Sequence, residues 1–273
     1  MLDRPRDLDF APVANDRPRT LSRGQVEAFN RTGFVTPLPA LSAAEVAALR
    51  ATIDGWLDAM GPDGAYGINC YQARLATLWD VARHPAILDL VEDLIGPDIL
   101  CWATAILSKP PRDPRAVPWH QDAGFWRLAP ARTVTVWLAI DDADAGNAAM
   151  RFIPGTHAMG ELAMEPVEGA AFAHGLRDVE RLGRPFVNAL KAGECSLHAD
   201  MLVHGSTANG SDRRRCGLTL RYCPPAVRIT DAGWRTGVEA LSCRGSSGDW
   251  DVHPRPGTDD IAAVESPRAV GNN

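Results

Sequence analysis

Six stretches decide the fold: ILCWATAILS (99–108), RTVTVWLAI (132–140), MRFIP (150–154), RPFVNAL (184–190), ECSLHADMLVHG (194–205) and CGLTLRYCP (216–224). Each is a short apolar or alternating run. Turn signals separate them, at Lys109-Pro110-Pro111, Asp144-Ala145-Gly146-Asn147, Pro154-Gly155 and Ala192-Gly193. Many short strands punctuated by Pro and Gly read as a sandwich or barrel.

Upstream of residue 98 the texture is helical. Ser22-x-x-Gln25 and Ser42-x-x-Glu45 are capping boxes. The first opens a short helix that stops at Gly33, and FVTPLP (34–39) follows as a strand. The second opens AAEVAALRATIDGWLDAM (43–60), with Val46, Leu49, Ile53 and Leu57 on one face. A third helix runs from Pro85 to about Ile95, bounded by Gly96-Pro97. Helices first and strands later give an α+β class with a mainly β core, the helices buttressing one sheet. Residues 1–20, rich in Pro, Arg and Asp, read as a flexible N-terminal arm. Residues 21–273 read as a single domain with its β core at about 98–230. The irregular 157–185 segment reads as a lid or insertion, and the chain after residue 240 as extended.

The 273 residues are 45% hydrophobic and 23% charged, an ordinary globular balance for which no staple is needed to form a core. A net charge of −6 without a Lys/Arg block argues against a nucleic-acid partner. No apolar run is long enough to span a membrane, and the first twenty residues lack a secretory apolar core, so a cytoplasmic location is expected. The six cysteines form no C-x-x-C pair and read as reduced, mostly buried thiols.

Two H-x-D pairs carry the first chemical signal, His120-Gln121-Asp122 and His198-Ala199-Asp200. On a strand, residues two apart share a side. Either pair would present an imidazole and a carboxylate together, two-thirds of the 2-His-1-carboxylate arrangement that suits non-haem iron(II). The third donor must come from elsewhere. A second signal is His204, ending one strand-like run, with Arg215 opening the next across a polar turn. Antiparallel pairing of those runs would bring the two together, and a guanidinium near a metal can grip a dicarboxylate.

In order and spacing, WHQD (119–122), VTVWLAIDDADAGN (134–147), RFIPGTH (151–157) and HGSTANGSDRRRCGLTLRY (204–222) resemble the phytanoyl-CoA dioxygenase family of iron(II)/2-oxoglutarate oxygenases. CRGSSGDWDVHPRP (243–256) adds to the likeness. The resemblance implies a double-stranded β-helix, the cupin-like jelly roll. It implies His120, Asp122 and His204, rather than His198, as ligands of Fe(II). Arg215, eleven residues beyond His204, takes the place of the arginine that binds the far carboxylate of 2-oxoglutarate. Ser206 would assist it, Trp137 would face the cosubstrate, and Thr104 or Ser108 would touch it from the preceding strand. Trp126 is a candidate substrate wall. The implied activity is O2-dependent hydroxylation of a small molecule. Halogenating relatives have Gly or Ala where Asp122 stands, which disfavours halogenation. The family often has Gly where Ala148 follows the turn residue Asn147. Pro154-Gly155 is read as a turn with His157 packing after it, and Arg213 and Arg214 as solvent-facing. Two rival readings are a non-catalytic jelly-roll binding protein and a cupin-type metalloenzyme that does not use 2-oxoglutarate.

Overall fold

The computed structural model describes residues 6–267. Its helices are α1 (Arg23–Thr32), α2 (Ala43–Met60), α3 (Ala76–Ala82) and α4 (Pro85–Ile95), with shorter turns between. Both capping boxes form: Ser22 and Ser42 accept from the amides of Gln25 and Glu45, whose side chains accept in return from the cap amides. Each such cap is worth about 1 kcal/mol. Gly33 ends α1 in the left-handed region.

The strands are β1 (Phe34–Pro39), β2 (Ile99–Lys109), β3 (Val117–His120), β4 (Val134–Ala139), β5 (Arg151–Phe152), β6 (Phe186–Val187), β7 (Glu194–Ala199), β8 (His204–Ser206), β9 (Arg215–Cys223) and β10 (Leu241–Arg244). They form two antiparallel sheets, a six-stranded one ordered β1-β7-β4-β9-β2-β10 and a four-stranded one ordered β3-β8-β5-β6. This is the expected α+β jelly roll. Ile106, Val136, Leu138, Leu197, Leu218 and Leu220, on the outer face of the large sheet, pack against Val26, Leu49, Ile53, Leu90 and Leu94 of the helices. The inner face looks into the space between the sheets.

Several expectations change in detail. Residues 6–20 are not a loose arm. Leu8 is buried, and the Asp93 carboxylate on α4 accepts from the amides of Arg19, Thr20 and Leu21. Beyond residue 240, β10 adds an edge strand beside β2, and Asp259 accepts from the Trp56 indole. The 157–185 segment is irregular, holding a two-stranded ribbon, Glu165–Pro166 with His174–Gly175, and short helical turns at Thr156–Ala158 and Val179–Arg181. All six cysteines are buried thiols, none of them in a disulfide. Among the described residues, no helix is long and apolar enough to cross a membrane.

Candidate active site

His120 and His204 meet because they are directly opposed in register where β3 pairs with β8. Opposed residues carry their side chains about 5 Å apart on one face, and here the ring centroids are 4.1 Å apart. Gly205 permits the approach: a Cβ there would lie 2.9 Å from the Val117 carbonyl oxygen. Asp122 arrives by a different route from the one expected. β3 ends at His120, and Asp122 opens a four-residue helical turn, so strand alternation is not what unites the pair. Gln121 pins this corner, donating to the carbonyls of Gly160 (3.0 Å) and Met201 (2.8 Å) and accepting from the Leu162 amide (2.8 Å).

The donor atoms of His120, Asp122 and His204 all lie within 4.8 Å of one another. Each histidine directs Nδ1 at a backbone carbonyl, His120 at Pro118 (2.8 Å) and His204 at Leu202 (2.9 Å). A carbonyl only accepts, so Nδ1 carries the proton and Nε2 keeps its lone pair. Both Nε2 atoms then face Asp122 Oδ1, at 3.5 and 3.9 Å. Thr135 donates to the other carboxylate oxygen at 3.4 Å. Burial opposes charge on Asp122, but His204, His120 and Arg221 hold its carboxyl well below the ordinary carboxylate range. Burial, then the neighbouring His120, keeps His204 neutral. Two imidazoles and one carboxylate on a shared face are the donor set of a facial-triad iron(II) site, and the residues fit that ion.

Arg215 begins β9, in the large sheet, whereas His204 begins β8, in the small one. They are therefore not hairpin partners, as the sequence suggested; they face one another across the interior. Arg215 is buried, its Nη2 donates to Ser206 Oγ at 3.4 Å, and its Nε has no partner. The Trp137 ring lies 5.6 Å from its guanidinium. Lys109, opposite Arg215 in register, is fully buried and donates to the carbonyls of Arg115 and Thr207. Burial, and then Arg215, pushes its ammonium down to about 7.

One cavity takes in His120, Asp122, His204, Ser206, Arg215 and Trp137, six of the eight residues singled out from sequence. It is small, about 30 Å³, whereas a wider cleft of about 710 Å³ lies under residues 10–19 and away from the triad. Its donor chemistry, not its size, marks the site. Thr104 is outside it. Its hydroxyl and amide bond Gln72 Oε1 (both 3.1 Å), and it is opposed to Leu220 on the helix-facing side, so Leu107 lines the cavity instead. Ser108 is opposed to Cys216 on that same outer face. Trp126 is also outside, packed edge-on against Trp102 at 4.7 Å; Phe172 of the 157–185 segment provides the aromatic wall.

Sequence reasoning missed Thr135 and Arg221, which line the cavity together with His198, the histidine it set aside as a ligand. Even spacing from Trp137 and Arg215 along their strands could have found Thr135 and Arg221. The second H-x-D pair diverges: His198 faces the cavity, while Asp200 lines the cleft under the arm. Asn147 serves its turn, accepting from the Asp144 amide and donating to the Asp142 and Arg214 carbonyls. His157 is a packing residue against Phe10. Arg214 is not solvent-facing; it bridges Asp141 and Asp54, whereas exposed Arg213 pairs with Asp144.

A family model described as phytanoyl-CoA dioxygenase (PhyH) matches residues 29–217, the span that holds the triad and Arg215. The chain belongs to the phytanoyl-CoA dioxygenase family. A probable phytanoyl-CoA dioxygenase of Caenorhabditis elegans is 26% identical over 156 residues, 53% of this chain and 50% of that protein. The chain thus spans about half the length of the first curated relatives it matches. The L-proline trans-4-hydroxylase of Streptomyces griseoviridis is 26% identical over 233 residues, 71% of this chain and 83% of that one. Among solved structures, the non-heme monooxygenase ThoJ in its apo form superposes with a TM-score of 0.73 at 30% identity, covering 87% of this chain and 90% of the other.

Proposed function

We propose that this protein is an iron(II)- and 2-oxoglutarate-dependent oxygenase that hydroxylates a C–H bond of a small molecule. The observation that carries this reading is the joint presence, in one buried cavity, of the three convergent donors and an incompletely paired guanidinium. His120, Asp122 and His204 would hold the metal. Arg215, helped by Ser206, would take the far carboxylate of 2-oxoglutarate, with Trp137 as the wall beside it. When bound, iron and 2-oxoglutarate supply O2-dependent C–H oxidation, with succinate and CO2 as co-products. The carboxylate at position 122 favours hydroxylation over halogenation.

The chain's own part is placement and exclusion of water. The two Nδ1–H bonds to carbonyls fix the imidazole planes before any ligand arrives. Thr135 holds one Asp122 oxygen and leaves the other for the metal. The wall bearing Phe172 hangs on short ribbons and turns, not on the large sheet, so it is the wall that gives when ligands enter.

The test is an anaerobic titration of iron(II)-loaded protein with 2-oxoglutarate, followed by visible absorption. A weak charge-transfer band should appear, with its midpoint at least tenfold higher in Arg215→Ala, as expected for losing a charge-assisted pair of about 1.5–3 kcal/mol. Asp122→Ala should abolish coupled succinate release. Bound iron without a band would favour a cupin-type metalloenzyme that does not use 2-oxoglutarate; a folded protein that binds no iron would favour a non-catalytic jelly roll.

A further inference from the structure

β9 turns four residues inward: Arg215, Gly217, Thr219 and Arg221. Six residues along an antiparallel strand is roughly 20 Å, so Arg221 sits far from Arg215 on the same face. It lies in a polar row. Arg221 is opposed to Thr135 on β4, and Thr135 to His198 on β7. All three side chains are buried and border the cavity that holds the triad.

The row is short of partners. Arg221 Nε and Nη1 have no hydrogen-bond acceptor, and neither ring nitrogen of His198 makes a hydrogen bond, its Nε2 lying 3.9 Å from Asp122 Oδ2. The guanidinium is held by aromatic faces, with Trp126 at 5.2 Å and Trp102 at 5.8 Å. Such contacts steady a cation but accept no N–H bond. A buried guanidinium with unmet donors is costly unless something completes it. Asp122 forms no ion pair with it: the basic side-chain nitrogens within 4.0 Å of its carboxylate belong to His120, His198 and His204.

We propose that Arg221, with His198 beside it, forms an anion subsite that recognises a carboxylate on the molecule being oxidised, so that the substrate is a small organic acid. Arg215 and Arg221 then divide the work. The first takes the cosubstrate's carboxylate and the second the substrate's, with the triad between them. This rests on the oxygenase reading above and adds the substrate class to it. Arg221 lies just beyond residues 29–217, the span matched by the family model.

The experiment uses the full chain loaded with Mn(II) and saturating 2-oxoglutarate. The probes are propionate and its uncharged analogue propionamide. Relaxation of their methyl protons by Mn(II) reports binding near the triad, and Mn(II) resonance reports metal and cosubstrate binding separately. Wild type should relax propionate saturably and bind propionamide at least about tenfold more weakly. Arg221→Leu should keep Mn(II) and 2-oxoglutarate but lose the preference for propionate, and Arg221→Lys should retain part of it. Equal binding of the two probes by wild type overturns the proposal whatever the variants do. So does an undiminished preference in Arg221→Leu. Loss of Mn(II) from that variant alone would also overturn it, by making Arg221 a support for Asp122. If wild type binds neither Mn(II) nor 2-oxoglutarate, the oxygenase reading itself falls, and the subsite falls with it.

Discussion

Replacing Gly217 with alanine would put a methyl carbon 2.2 Å from Cζ2, 2.4 Å from Cε2 and 2.8 Å from Cη2 of Trp137. Carbon atoms in contact settle at about 3.5–4.0 Å, so the indole must retreat by more than about 1 Å. It has little freedom to do so, being buried against Phe34, Ala139, Met150 and Phe152. The strands cannot easily part either, because Gly217 is paired on both sides, with Leu107 and Ala139. Overpacking of this kind costs about 1–3 kcal/mol, a fall in melting temperature of several degrees for a domain of this size. The indole also walls Arg215. A misplacement of about 1 Å in positioning groups can cost roughly a hundredfold, so affinity for 2-oxoglutarate should drop by about ten- to a hundredfold. The anaerobic absorption titration measures this, beside a thermal melt. Trp137→Phe removes the outer ring that the methyl strikes, so Gly217→Ala should add almost nothing in that background, a coupling of about 1–2 kcal/mol. Wild-type affinity and melting in Gly217→Ala, or an equal loss in the Trp137→Phe background, would refute the steric argument.

Three further outcomes concern stability. Burial raises the Asp200 carboxyl to about 7, despite the Thr133 amide bonded to it. An unfolded Asp titrates near 3.9, so the folded state binds this proton more tightly; stability is full below about pH 4 and is lost as pH rises to about 7. Asp200→Asn should therefore gain on wild type between pH 5 and pH 8 by roughly 2–3 kcal/mol in paired denaturant melts, and a constant difference would contradict the burial argument. Arg214→Ala should cost about 2 kcal/mol, less than the 3–5 of a wholly orphaned buried pair, because Arg50 and the Cys216 amide still serve Asp141. Arg213→Ala, which breaks an exposed pair, should change stability by less than about 1 kcal/mol; equal effects in urea titrations would show that burial does not set the difference. Ala148 has φ +64°, a left-handed conformation that costs a residue with a Cβ about 1–2 kcal/mol. Ala148→Gly should raise the melting temperature by about 2–4 °C, and a lowered value would show that the turn is unstrained.

The helices, the strand-rich core and the gathering of six of the eight chosen residues around one cavity were legible because their signals are local. Capping boxes declare helix starts, and HQD and the His204 to Arg215 segment keep their chemistry in short windows. What failed were choices of face. Every residue of β9 is buried, as are all but one of β2. Alternation marks a face only when one side is wet, so nothing in the residue types separated Thr104 from Leu107. Trp126 was misjudged for a related reason. The helical turn at Asp122–Phe125 redirects the chain, and no periodicity extends across such a corner. His198 and His204 could not be told apart by spacing either. What distinguishes them is that His204 is opposed to His120 in the small sheet while His198 belongs to the large one, a fact of long-range pairing.

The two faces of the large sheet also explain what α1, α2 and α4 contribute. A jelly roll usually gains stability by packing its inner faces together. Here the inner face of the large sheet carries Arg215, Thr219, Arg221, Thr135 and His198, polar side chains that line the cavity where apolar ones would pack. The missing burial must come from elsewhere. It comes from the outer face, where Ile106, Val136, Leu138, Leu197, Leu218 and Leu220 are covered by the helices. At about 1.5–3 kcal/mol for each fully buried side chain of this kind, six of them can offset the desolvation of an inner row left open for ligands. The division has a consequence for how damage distributes. Truncation on the outer face should lower stability while leaving cosubstrate affinity intact in the molecules that remain folded. Changes to the inner row should do the reverse, because those side chains contribute little to the fold until a ligand completes them.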